Sequence, residues 1–452
     1  MADKRLLAGA ATSNITPPLG ISLNGGMRDR AAAQIHDELH ARCLVLDDGH
    51  TRLALVVCDS CMIPGEIHEN AKHQAHEHTG IPLDRMLISA THTHTAPTVA
   101  GVFQSEPNEE YAEFLALRIS DGIRRAVNNL APAKIGWGVG SEPTQVFNRR
   151  WTMKPGAIGA DPFGKLGDRV KMNPPRSSDQ LLEPAGPTDP QVSILAVATP
   201  QGRPIALMGN YSLHYVGAAG PAHVSADYYG MFARGVTLAL ADPWQDPPMV
   251  GMLSNGTSGD INNIDFRHVS PRQPPYAQMR KVAHLVAAQA QKVYGEMKFH
   301  DWVPLDMREA RLELARRLPS KDEVERAKKI LARASGEPLR RIEEIYARET
   351  VLMSHWPPTK PTVVQALRIG ELGIAASPCE TFVETGLAIK AHSPLKPTFT
   401  IELANDYAGY LPTVEQHRLG GYETWRARSS FLEVGAEPKI RGKILELLGQ
   451  LA

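Results

Sequence analysis

The chain has 452 residues, with 49 Lys and Arg balanced by 49 Asp and Glu for a formal charge of zero. That balance argues against a nucleic-acid-binding protein or a polybasic membrane-surface protein, both of which need a basic face. Hydrophobic residues at 42% and charged residues at 22% exclude wholesale disorder, and 37 Gly with 35 Pro point to many loops.

Near the N-terminus, 41–46 and 53–58 (LALVVC) read as strands joined by the turn Asp47-Asp48-Gly49. LALVVC is almost wholly apolar, as in a strand covered on both faces. Residues 65–79 read as a helix stopped by Gly80. A short buried strand at 85–90 runs into Thr91-His92-Thr93-His94-Thr95-Ala96-Pro97, and 107–130 read as a helix with a stripe of Tyr111, Phe114, Leu115 and Ile119. Residues 152–190 lack periodicity and are expected to be a long loop. Strands are expected at 192–198, 204–210 and 248–253, and a helix at 276–295. A charged helical hairpin follows at about 320–354, capped by Ser320 and Glu323 and expected to be solvated. Strands at 363–369 and 373–376 then lead through Pro378-Cys379-Glu380 into a helix at 381–392. This alternation implies an α/β fold class with mixed multi-stranded sheets covered by helices. The N-terminus has no apolar core of a signal peptide and no apolar run reaches transmembrane length, so a soluble cytoplasmic protein is expected.

Several segments carry chemistry. His92 and His94 would share one face if the strand continued through them, and imidazole is the commonest metal ligand near neutral pH. His214 ends a second apolar run. Glu380 follows a strand and precedes a helix, a natural site position in open α/β sheets. Asp59 and Asp227 are candidates to fix ligand imidazoles. Tyr407, Tyr410 and Tyr422 are further polar candidates. Cys58 and Cys61 have redox spacing, but with four cysteines in the chain and no second Cys pair, inert thiols are the preferred reading. There is no Gly-x-Ser-x-Gly elbow for a serine hydrolase.

In order along the chain, AGAATSNITPPLG, IHDELHARCLVL, SATHTHTAP, NYSLH, SADYYG, NGTSGDIN, SPCETF and ANDYAGYLPT…GGYE together resemble the catalytic domain of the neutral/alkaline (non-lysosomal) ceramidase family. The resemblance implies an α/β zinc hydrolase spanning residues 1–452 as one domain, without the family's C-terminal β-sandwich. It implies zinc held by His92, His214, Glu380 and Tyr410. It matches Tyr422 to the family's catalytic Tyr, and His94 and Arg149 to residues that contact the reacting carbonyl; zinc chemistry then leads one to expect oxyanion donors in Tyr422 and Arg149 and proton transfer to the leaving nitrogen by His94, whose ordinary pKa lies near neutrality. Asn262 stands where the family has a substrate-contacting Ser. The expectation is therefore hydrolysis of a carboxamide in a small molecule, linked to lipid metabolism by the resemblance but not necessarily ceramide. A metal-dependent esterase, lactonase or deacetylase is the first alternative, and a noncatalytic binding protein with a degenerate site is the second. A homo-oligomer stays open.

Overall fold

The computed structural model describes residues 4–271 and 273–452. Its largest element is a nine-stranded mixed sheet. Leu6–Asn14, His40–Asp47, Arg52–Cys58 and Met86–Ala90 form one half, and Ala131–Ser141, Gln191–Ala198, Pro204–Tyr211 and Val250–Asn255 the other, with the ninth strand, Phe299–His300, paired to Ala131–Ser141. The halves join where Leu6 pairs with Ala133, antiparallel. The sheet curls there, so that Val250–Asn255 at one end meets Arg52–Cys58 and Met86–Ala90 at the other. A second sheet of Leu305–Ala315, Thr359–Ile369, Leu372–Ala376 and Thr398–Ile401 closes the remaining side.

Strand alternation builds two cores at once. Leu53, Leu55 and Val57 point into the central core between the sheets. Ala54, Val56 and Cys58 point outward to the helices Gly65–Thr79 and Glu109–Asn128. On the other half, Leu195 and Val197 face inward, while Ile194 and Ala196 meet Asp227–Leu240 and Ala277–Glu296. LALVVC is therefore apolar because both of its faces are covered. Burying each such Leu or Val contributes about 1.5–3 kcal/mol. Val383–His392 and Ala436–Leu451 cover the outer face of the second sheet. The fold class is α/β with mixed sheets, as the sequence implies.

Several local expectations hold in detail. The first helix spans Gly65–Thr79 and stops at Gly80, whose φ of 70° lets its N–H reach His76 O. Ser320 and Glu323 form the expected capping box. Others need correction. Residues 152–190 are not structureless: Arg150–Met153, Val170–Met172 and Leu181–Pro184 form a three-stranded sheet. In the hairpin, Lys321–Leu331 is largely solvated, but Ile342–Met353 buries Glu344, Ile345, Tyr346, Ala347 and Glu349. In the helix Glu109–Asn128, Tyr111, Leu115 and Ile119 are buried, whereas Phe114 is 37% exposed and lies off the stripe. No helix among the described residues is long and apolar enough to cross a membrane.

Candidate active site

The site forms where loops leave the carboxyl ends of strands from both halves of the curled sheet and from the second sheet. The strand Met86–Ala90 ends before the histidines, so strand alternation does not bring them together, contrary to the expectation. A turn does: His92 has φ 75°, a conformation uncommon outside glycine. Its N–H reaches back to Ser60 O, 2.8 Å. Its Nδ1 donates to Cys61 O, 2.7 Å, which leaves Nε2 as the atom aimed into the site. His214, three residues past Pro204–Tyr211, is oriented alike, its Nδ1 donating to Ser258 O at 3.1 Å. Glu380 is placed by a two-residue parallel pairing, Glu380 with Tyr410 and Thr381 with Leu411. Gly259 permits this close packing, since a Cβ there would sit 2.5 Å from Glu380 O.

His92 Nε2 lies 3.0 Å from His214 Nε2 and 3.2 Å from Glu380 Oε2, and His214 Nε2 lies 3.8 Å from the same oxygen. All three residues are at most 2% exposed. With both Nδ1 atoms donating to carbonyls, the two Nε2 atoms converge on one point, and, against the effect of burial, Glu380 raises the His92 pKa well above its ordinary value, drawing positive charge to that point. Glu380 Oε2 is buried and takes no hydrogen bond, although a buried carboxylate oxygen without one is costly. A cation answers both observations. The ligand atoms of a tetrahedral zinc lie ~3.3 Å apart when each bond is ~2.0 Å, and the three separations bracket that value. Nitrogen and carboxylate donors are also zinc's usual set. The residues present therefore fit a zinc ion, held by His92, His214 and Glu380.

Around this triad stands a ring of polar groups. His94 Nε2 lies 3.1 Å from His92 Nε2, and its Nδ1 has no partner. Tyr215 stacks on the His94 ring, centroids 3.6 Å apart. Burial, helped by the charges of His92 and Arg149, holds the His94 pKa well below its ordinary value. For Glu380, burial pushes the other way, but His92, Tyr410 and Arg149 outweigh it and lower the pKa. Tyr407 Oη donates to Glu380 Oε1, 3.0 Å. Arg149 Nη2 donates to Tyr410 Oη at 3.0 Å, and its Nε to Glu423 Oε1 at 2.9 Å. Burial pushes the Tyr410 and Tyr422 hydroxyls up, so both stay protonated as side chains alone.

His92, His94, Glu380, Tyr407, Tyr410 and Tyr422 line one narrow cavity of about 30 Å³. His214 and Arg149 do not line it but adjoin it, through His92 Nε2 at 3.0 Å and Tyr410 Oη at 3.0 Å. Two second-rank assignments fail. Asp59 pairs with Arg42 at 2.6 Å, and Asp227 accepts backbone N–H groups of Val216, Gly217 and Tyr228; neither orients a ligand imidazole. The carbonyls of Cys61 and Ser258 do that work. Cys58 and Cys61 are buried free thiols, in line with the inert reading. Sequence reasoning missed Glu423, Glu402 and Tyr215. Glu423 clamps Arg149 and, at 2.6 Å, Arg150. Glu402 receives Ser258 Oγ at 2.7 Å and Thr381 N at 2.8 Å, tying the loop whose carbonyl orients His214 to the strand that carries Glu380. Position next to His214 was the one signal for Tyr215, and a place in the GGYE segment the one for Glu423; Glu402 carried none.

The remodelled 152–190 segment and the hairpin both brace this cavity. Asp168 accepts from Trp425 Nε1 at 2.8 Å, and Arg169 N donates to Leu419 O at 2.8 Å, supporting the segment that carries Tyr422. Tyr346 of the hairpin packs edge-on against Trp425, 5.8 Å between centroids.

No protein-family model matches the chain. Solved structures do. A crystal structure of neutral ceramidase from Pseudomonas aeruginosa superposes with a TM-score of 0.73 at 19% identity, over 99% of this chain and 75% of that one. A ceramidase complexed with C2 gives a TM-score of 0.73 at 17% identity, with the same two coverages, 99% and 75%. The fold is that of the neutral ceramidase structures, as the resemblance implied.

Proposed function

We propose that this protein is a zinc-dependent hydrolase that cleaves a carboxamide bond in a small molecule. The observation that carries the reading is the convergence of His92, His214 and Glu380, with a partnerless Glu380 Oε2, in a cavity that also holds His94 and Tyr422. Both structural neighbours are named ceramidases, which supports amide chemistry. Tyr410 is the fourth ligand in this proposal.

Zinc, when bound, supplies a water whose pKa falls from 15.7 to about 7 and polarises the substrate carbonyl. The protein does the rest. Tyr422 Oη and Arg149 Nη2 donate to the carbonyl oxygen as it gains negative charge. Glu423 keeps the guanidinium in place for that task. His94 Nε2 accepts the proton released by the attacking water and passes it to the leaving nitrogen, so the products are a carboxylic acid and an amine. Tyr215, stacked on His94, fixes the ring plane in which that proton moves.

The test is a panel of short amides, esters and lactones offered to protein stripped of metal and then reloaded with zinc. Amide hydrolysis that disappears on stripping and returns with zinc supports the reading. Turnover of esters or lactones alone would replace it with the esterase reading, and no turnover of any compound by zinc-loaded protein would sink the hydrolase reading.

A further inference from the structure

Beyond His94 the narrow cavity opens into a groove of about 740 Å³. The two spaces share Gly25, Gly26 and His94, so a ligand in the groove can extend to the metal ligands. Gly25 keeps the passage open: its φ is 95°, and a Cβ there would sit 2.3 Å from the His94 ring. The groove volume suits a small organic molecule. Its far wall, residues 217–222, is built of Gly, Ala and Pro, and Met27 is its one long aliphatic side chain among the described residues.

Positive charge predominates in the groove, two arginines against one acid. Arg28 and Arg30 both line it, and neither pairs with an acid among the described residues. Arg30 Nη2 is held by Asn24 O at 3.1 Å and His94 O at 2.9 Å. Those carbonyls fix the guanidinium beside the catalytic loop without neutralising it, and its Nε is buried with no acceptor. Asp227 is the one acid lining the groove, and its oxygens are taken by the N–H groups of Val216, Gly217 and Tyr228 at 3.1, 2.9 and 2.6 Å. A fixed guanidinium lacking a counter-charge is a carboxylate receptor.

We infer that the groove selects short amides that carry a carboxylate, such as N-acylated amino acids, with Arg30 as the main anion-binding residue and Arg28 as its partner at the rim. The inference builds on the amide-hydrolase reading of the metal centre and gives that site its substrate class.

Calorimetry on the zinc-loaded full chain compares N-butyrylglycine with N-butyrylethanolamine, in which a hydroxymethyl group replaces the carboxylate. N-butyrylglycine is expected to bind at least tenfold more tightly. The preference should shrink in Arg28→Gln and vanish in Arg30→Gln. Because Arg30 also holds the His94 carbonyl, Arg30→Lys is the control, keeping the charge and part of the preference. Equal affinities, or a preference unchanged in both Gln variants, overturn the inference. So does a preference lost only in His92→Ala, which would put the carboxylate on the metal. Hydrolysis is scored separately. Equal hydrolysis of both compounds keeps the hydrolase reading and sinks the inference; selective binding with no butyrate released keeps the inference and sinks the hydrolase reading.

Discussion

The cavity around His92 and the groove beyond His94 touch through the same three residues yet are built differently. The cavity is about 30 Å³ and its metal-binding candidates are at most 6% exposed, held by backbone carbonyls, a strand pairing and a hydrogen bond from Arg149. The groove is about 740 Å³ and is walled by loops of small residues with two unpaired arginines. Chemistry is thus set by parts that cannot move without disturbing the core. In the proposed reading, selectivity belongs to the groove, whose walls are loops. A fold held at 19% identity to a solved ceramidase is consistent with that division.

Variants that strike the inner cavity should have the largest effects on activity. His92→Ala removes a ligand and should abolish both bound zinc and turnover, a loss of at least ~1000-fold, or about 4 kcal/mol; elemental analysis and amide hydrolysis check it together. Tyr422→Phe removes one oxyanion donor and keeps the ring. It should lower kcat by ~100-fold with zinc content unchanged; loss of zinc instead would make Tyr422 a ligand. Tyr215→Leu stands at the boundary of the two spaces. Losing the stack on His94 should reduce kcat/KM by about tenfold, again with zinc retained.

The smallest effect on activity belongs to a third buried polar region, away from both spaces. Lys72 is 6% exposed and 3.9 Å from Glu309, and burial pulls its pKa from 10.5 down to about 8. Between about pH 8 and 10.5 the unfolded chain holds this proton and the folded chain does not, so stability rises with pH across that window. Below it the buried charge is a standing cost. Lys72→Met should therefore be more stable than the parent at pH 7, with the advantage narrowing towards pH 10, and should leave hydrolysis unchanged. Urea midpoints at the two pH values measure it.

The sequence showed much of this molecule because chemistry and packing left local marks. LALVVC announced a strand covered on both faces. His92, His214 and Glu380 each followed a strand signal, and the ordered motifs tied them to one family. What stayed hidden depended on contacts made far along the chain. Ala131–Ser141 is a central strand, but its three glycines erase the β-branched pattern. The 152–190 sheet is made of three short strands, too short to show a period, tied to the Tyr422 segment by Arg169 N donating to Leu419 O. The turn that gives His92 its positive φ is invisible in a Thr-His-Thr-His string, so the strand geometry expected there does not hold. Asp59 and Asp227 looked like imidazole partners because they are acids near strand ends, and the fold spent them on Arg42 and on a backbone loop instead.

The central claim is that His92, His214 and Glu380 hold a metal ion. Its most direct test is the zinc content per chain of the parent protein and of Glu380→Gln, purified without chelator and then incubated with zinc. About one zinc per parent chain, and a marked loss in Glu380→Gln, is the predicted result. A parent chain that retains no zinc, or a Glu380→Gln chain that retains as much as the parent, would contradict it.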